Sequence, residues 1–308
     1  MRSVKIISLV IACLMFVGCL SFQKIPSNFS PEVKGKFLAL EGDQPWQIHY
    51  RETGRPGNPA ILFLHGYGSA SVVWIQLMDE LARLGYHCIA PDIPGFGLSD
   101  KYRGDYKTTT IARRMTAFLR QKGIEQTDLI AHSWGSSVAL AMRIISPQRV
   151  RRIVINSGWV YSTQIVPVIR WAKVPVIGEM IYGLFYREQP GDKFALSVYD
   201  PERFVTQALV AKINESLNRP GAIAAALAIA RGMDLVSFER QYSAIRNPTL
   251  LIWGHQDRVA LPFYGRRLAA ELSNSRLEFL DRCGHLPMLE RPHLVQKLVS
   301  DFLGPAVK

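Results

Sequence analysis

Apolar positions along this chain follow two alternating rhythms. Short continuous runs such as Ala60-Ile-Leu-Phe-Leu64 and Thr249-Leu-Leu-Ile-Trp253 have the pattern of strands buried on both faces. Between them lie stretches with apolar residues at helical spacing, near 72–84, 107–122, 138–146, 261–272 and 291–303. Strand-like runs fall near 36–41, 45–51, 60–64, 86–91, 129–132, 153–156, 249–253 and 277–280. The first two suit an antiparallel pair, and the alternation of the rest predicts parallel pairing with helices on both faces. The expected class is therefore α/β, with a mostly parallel twisted eight-stranded sheet flanked by helices.

The rhythm breaks once. Residues 159–236 carry apolar helical stretches interrupted by Pro167, Pro175 and Pro220, without a clear strand. This predicts a helical insertion splitting one core into 36–158 and 237–308. The apolar content of the insertion (Trp159, Ile165, Trp171, Ile177, Met180, Phe185 among others) suits an apolar acyl or aromatic ligand.

The N-terminus is of another kind. Arg2 and Lys5 precede an uncharged apolar run, Ile6 to Val17, which ends in Phe16-Val17-Gly18-Cys19. The run is short for a membrane span but suits the core of a signal peptide over residues 1–18. The segment resembles a bacterial lipoprotein signal, which implies lipidation at Cys19, a tether over 19–35, and anchoring on a membrane surface facing the periplasm.

Composition narrows the field. With 48% hydrophobic and 20% charged residues, 308 residues are enough for a sizeable core without disulfide support. The net charge of +12 favours anionic surfaces. The basic residues are scattered, however, and no nucleic-acid-binding motif accompanies them, so no nucleic-acid partner is expected. Beyond Cys13 and Cys19 only Cys88 and Cys283 remain. Their pairing stays open, and no metal-ligand spacing occurs. Neither a metal nor a cofactor is expected.

The candidate chemistry lies after the strands. Ala131-His132-Ser133-Trp134-Gly135 sits between a predicted strand and a predicted helix. It resembles the Gly-x-Ser-x-Gly nucleophile elbow of α/β-hydrolases, with Ala131 in the first glycine position. A serine hydroxyl needs a base, and that base needs a carboxylate to set its tautomer. Gly284-His285 follows the last predicted strand, and Asp257 follows the strand at 249–253. The order Ser133, Asp257, His285 is that of the family's triad. His65-Gly66-Tyr67-Gly68 resembles the family's His-Gly loop, which implies the backbone N–H groups of Tyr67 and Trp134 as oxyanion donors. Asp92-Ile-Pro-Gly-Phe-Gly-Leu-Ser99 and Cys283-Gly-His-Leu-Pro-Met-Leu-Glu290 extend the likeness to about 36–303. By analogy with the family, the insertion at 159–236 is a cap over the site.

The resemblance implies a serine hydrolase acting on a small-molecule carboxylic ester with an apolar acyl or aromatic part. The same triad also serves carbon–carbon bond hydrolysis, amide hydrolysis and acyl transfer. His255 and Asp234 are the rival histidine and acid, while His65, His132, Asp92 and Asp100 read as structural. A distant alternative is a nicotinamide-dinucleotide oxidoreductase. Gly66-Tyr-Gly-Ser-Ala-Ser71, followed by a strand ending at Asp92, mimics that binding unit.

Overall fold

The computed structural model describes residues 34–41, 46–185, 190–208, 210–211, 215 and 218–306. The lipoprotein-type segment, Cys19 and most of the tether lie outside the described residues. Eight strands form one sheet: β1 (Lys36–Leu40), β2 (Trp46–Thr53), β3 (Ala60–Leu64), β4 (His87–Pro91), β5 (Thr127–His132), β6 (Val150–Asn156), β7 (Thr249–Gly254) and β8 (Ser275–Leu280). Their order is β1-β2-β4-β3-β5-β6-β7-β8. The pairs β1/β2 and β2/β4 are antiparallel, and every other pair is parallel.

The unbroken apolar runs follow from burial on both faces. Along β3, Leu62 and Leu64 enter one core while Ile61 and Phe63 enter the other. Strand β7 divides in the same way, with Leu251 and Trp253 opposite Leu250 and Ile252. Alternation of side chains across a strand makes this division unavoidable. Helices α2 (Thr108–Gln121), α3 (Trp134–Ile145) and α10 (Pro262–Glu271) cover the first face. The second is covered by α1 (Ile75–Arg83) and α12 (Pro292–Leu303), the latter preceded by the short α11 (Pro287–Glu290). In α2 the buried set Ile111, Ala112, Met115, Phe118 and Leu119 has the spacing of one helical face.

Helix α3 begins at Trp134, a full turn before the helix expected from 138. Trp-Gly-Ser-Ser is a weak helix-forming stretch, but tertiary packing overrides that preference, because every residue from Trp134 to Met142 is buried.

Between β6 and β7 the described residues contain no strand. They form α4 (Pro167–Ala172), α5 (Ile177–Phe185), α6 (Pro190–Ser197), α7 (Pro201–Phe204), α8 (Ala222–Gly232) and α9 (Val236–Glu239). Helix α8 is buried almost all round and joins the core cluster that contains Phe96, Trp134 and Trp159. No helix among the described residues is long and apolar enough to cross a membrane.

An electrostatic cluster ties the antiparallel edge to the sheet. The Glu52 carboxylate accepts from Lys36 Nζ at 2.7 Å, His87 Nε2 at 2.8 Å and Lys122 Nζ at 2.9 Å. Burial alone would raise its pKa, but hydrogen bonds from Lys36, Lys122 and His87 outweigh that and push it down to about 2. A carboxylate with a depressed folded pKa stabilises the fold above its unfolded value, and the gain is lost as pH falls through the folded value. Glu52→Gln should therefore cost on the order of 2 kcal/mol at neutral pH, after allowance for screening at the sheet edge. Urea titrations should show the deficit shrinking between about pH 4.5 and 2.

Candidate active site

Strand register brings the site together. Leu64 of β3 stands beside Ala131 of β5, so the chain leaving β3 as His65-Gly66-Tyr67 runs beside His132-Ser133. The approach is close. A Cβ on Gly66 would lie 3.0 Å from Ser133 Cβ, and one on Gly135 would lie 2.5 Å from the carbonyl oxygens of Leu64 and His65. Glycine at both positions lets the elbow sit against the loop. Ser133 itself has φ 50° and ψ −126°, a conformation that costs a non-glycine residue of order 1–3 kcal/mol. The bonds Ser133 N–H to Asn156 O (3.1 Å) and Trp159 N–H to Ser133 O (3.0 Å) hold it there.

Ser133 Oγ lies 2.9 Å from His285 Nε2, and His285 Nδ1 lies 3.0 Å from Asp257 Oδ2. All three residues are buried. The other Asp257 oxygen, Oδ1, accepts from the backbone N–H groups of Val259 at 2.9 Å and Ala260 at 2.8 Å. The carboxylate is thus fixed by its own loop and turned toward the imidazole. The structure brings together Ser133, His285 and Asp257. Tyr67 and Trp134 follow the two segments that meet at Ser133, and Trp134 N–H opens α3, where a helix leaves its first amides without internal acceptors.

Residues 59–292 match the alpha/beta hydrolase fold family. The chain belongs to the α/β-hydrolase family. One relative is the 2-hydroxy-6-oxononadienedioate/2-hydroxy-6-oxononatrienedioate hydrolase of Cupriavidus pinatubonensis, 27% identical over 86% of this chain and 93% of the relative. Among solved structures, the meta-cleavage product hydrolase of Pseudomonas fluorescens aligns with TM-score 0.73 at 24% identity, covering 88% of this chain and 97% of that one. A thermophilic esterase of Thermogutta terrifontis aligns with TM-score 0.72 at 21% identity, covering 88% and 98%. The two structural likenesses show the fold alone.

The remaining candidates of this α/β-hydrolase occupy other places. His255 is exposed and pairs with Asp281 at 2.6 Å, and Asp234 is exposed. Neither joins the cluster around Ser133. Cys88 and Cys283 are both free and buried, so no disulfide joins them. The dinucleotide alternative loses its acid. Asp92 is buried and accepts from Ser71 N–H, Leu98 N–H and His49 Nδ1–H, which leaves it serving the protein. Those bonds also hold its pKa well below the carboxylate range against the opposing effect of burial.

Two histidines have positioning roles. Ile93 N–H donates to His65 Nε2 at 2.8 Å, so the His65 proton sits on Nδ1 and points to Gly66 O, also at 2.8 Å. Burial lowers its pKa and keeps it neutral. His132 Nε2–H donates to the carbonyl of His285 at 2.8 Å. Burial first, and the neighbouring His285 second, lower the His132 pKa well below the ordinary value. A neutral imidazole thus supports the backbone of His285 without adding charge beneath it.

Sequence reasoning missed the link between the helices that follow β6 and the residues around Ser133. His285 N–H donates to Ser197 O, at the end of α6, at 2.6 Å. Glu290 is buried and accepts from Gly284 N–H at 3.0 Å, Leu286 N–H at 3.1 Å and Tyr199 N–H at 2.7 Å. One carboxylate therefore holds both the histidine loop and the segment at Tyr199 between β6 and β7. On the other side, Tyr67 Oη lies 3.0 Å from Tyr182 Oη of α5 and donates to Ala226 O of α8 at 2.9 Å. In the sequence Glu290 shows only as an acid five residues after the histidine, and its burial is a tertiary fact. The acceptors Ser197 O and Ala226 O are main-chain atoms, which carry no residue-type signal.

Proposed function

We propose that this α/β-hydrolase cleaves the carbon–carbon bond beside the ketone of a 2-hydroxy-6-oxo dienoate through an acyl-enzyme on Ser133. The observation that supports the hydrolytic chemistry is the continuous hydrogen-bonded line Asp257–His285–Ser133. The choice of bond rests on similarity to 2-hydroxy-6-oxononadienedioate hydrolases over 86% of this chain.

In such a substrate the 2-hydroxy diene first becomes its 2-keto tautomer, which makes the carbon next to the 6-oxo group saturated. Ser133 Oγ then attacks the 6-oxo carbon while His285 Nε2 takes its proton. Asp257 stabilises the resulting imidazolium. The backbone N–H groups of Tyr67 and Trp134 hold the oxyanion. Collapse breaks the carbon–carbon bond, and the electron pair leaves as a carbanion delocalised onto the 2-keto oxygen. His285 returns the proton to that fragment. A water, deprotonated by His285, releases the acyl group as a carboxylic acid.

One observation favours a second reading, hydrolysis of a carboxylic ester with an apolar acyl part. Phe96 packs against the rings of His65, Tyr67 and Trp134, so the side chains beside the elbow are largely apolar. Arg231 on the cap helix α8 is engaged by Glu179 through two bonds of 2.8 Å. An ester needs no cationic subsite, whereas the carboxylate of a dienoate is better held by one. The readings separate by kcat/KM for a 2-hydroxy-6-oxo dienoate, followed by loss of its conjugated absorbance, against a p-nitrophenyl ester series. The carbon–carbon reading expects at least about tenfold preference for the dienoate, or ~1.4 kcal/mol in transition-state stabilisation. The reverse preference would replace it with the ester reading.

A further inference from the structure

The cap carries a surface that hydrolysis does not use. Helices α4 and α5 turn Ile169, Ala172 and Tyr182 inward. Their outer side presents Val168, Trp171, Val174, Val176, Ile177 and Met180, each at least 40% exposed. A helix facing water ordinarily carries polar residues on its outer face, and this pattern is inverted. Large contiguous apolar patches on a folded surface mark interaction sites. The turn between the helices reinforces the display. Val176 has φ 70°, a conformation costly for a β-branched residue, and its N–H donates to Glu179 Oε2 at 2.8 Å.

We infer that this α4–α5 face docks on the surface of an anionic phospholipid bilayer. Charge selects this occupant. Between Val166 and Leu184 the exposed charged residues are Arg170 and Lys173, both cations. The acid of this stretch, Glu179, is half-buried and paired with Arg231. An apolar face with a basic fringe and an aromatic residue is the composition of a helix lying in the membrane interface. The chain outside the described residues agrees with this. It carries the uncharged apolar run Ile6–Val17, and the polypeptide from Cys19 to β1 can span at most about 3.3–3.6 Å per residue, enough to keep an anchored domain in reach of the same bilayer. Docking would set α5 on the lipid while its inner face holds Tyr182 against Tyr67 beside Ser133. The inference does not depend on which bond the site cleaves.

The molecule contains its own probe. Of its six tryptophans, Trp171 is 59% exposed, while Trp46, Trp74, Trp134, Trp159 and Trp253 are each at most 9% exposed. The experiment adds the full-length chain to vesicles of phosphatidylcholine and phosphatidylglycerol with brominated acyl chains. Docking should shift Trp171 emission to the blue, quench it through the bromines, and lower acrylamide quenching by at least about twofold, as expected for a side chain buried in the interface. Trp171→Phe should abolish all three changes while the protein still sediments with the vesicles. If Trp171 on vesicles stays as open to acrylamide as in solution, the N-terminal segment alone holds the protein and the inference fails. Shielding of Trp171 before vesicles are added would also overturn it. Shielding that grows with protein concentration would assign the face to a second copy. Shielding independent of concentration would assign it to the chain's own N-terminal run.

Discussion

Ser133→Ala is expected to lower kcat by about 10⁵–10⁶-fold, on either substrate class, with little change in KM. The prediction is sharp because, among the described residues, the neighbouring serines offer no substitute. Ser136 and Ser137 are fully buried within α3, and the Ser137 hydroxyl donates to the Trp159 carbonyl. Among the described residues, the side-chain bond lost is that to His285 at 2.9 Å. The backbone bonds that impose φ 50° on residue 133 remain, and alanine meets the same backbone constraint as serine. Thermal stability should therefore move by less than about 1 kcal/mol. The measurement is steady-state turnover of both proteins, with melting curves as the control. A folded alanine variant retaining more than about one per cent of kcat would remove Ser133 as nucleophile.

Much of this arrangement was legible in the chain because two-sided burial writes itself as unbroken apolar runs. β3 and β7 could be read from Ala60–Leu64 and Thr249–Trp253 alone, and they are observed at Ala60–Leu64 and Thr249–Gly254. The first two strands and their antiparallel pairing were expected as well and are observed, although β1 is largely exposed and β2 mixes apolar with polar residues. The convergence of Ser133, Asp257 and His285 was legible because each follows a strand, where an open parallel sheet gathers its loops. Other features depend on tertiary contacts. The early start of α3 comes from packing that overrides the poor helix preference of Gly135, Ser136 and Ser137. The attachment of α6 and α8 to His285 and Tyr67 uses the carbonyls of Ser197 and Ala226, and any residue type can supply a carbonyl. The pairing of Glu179 with Arg231 spans 52 positions, a distance at which charge spacing along the chain carries no information.

Those attachments bear on the helices between β6 and β7. A lid that merely covers a pocket would leave the reacting groups in place when it moves. Here the main chain of His285 is bonded to Ser197 of α6, and the Tyr67 hydroxyl is bonded to α5 and α8. Displacement of these helices would therefore pull at both His285 and the Tyr67 loop. Small errors in the placement of reacting groups are costly in rate, so a shift of these helices is expected to lower turnover through Glu290, Ser197 and Tyr67.

Asp257→Asn tests a finer point, the direction in which the imidazole carries its proton. Asp257 Oδ1 accepts two backbone N–H groups, from Val259 and Ala260. An asparagine in the same place must put its carbonyl oxygen there, because an amide NH2 cannot accept from a backbone donor. Its NH2 then faces His285 Nδ1, at the position of the oxygen now 3.0 Å away. Nδ1 becomes an acceptor, the imidazole proton moves to Nε2, and the ring can no longer take the proton from Ser133. The expected loss in kcat at neutral pH is about 10⁴-fold, the size seen when an otherwise intact triad holds its histidine in the wrong tautomer. Asp257→Ala leaves Nδ1 free to choose its tautomer but removes the acceptor of the Val259 and Ala260 amides, so it should unfold more easily than the asparagine variant. Turnover and urea midpoints of the two variants together make the check. An asparagine variant that keeps wild-type kcat would show that Asp257 does not set the tautomer of His285.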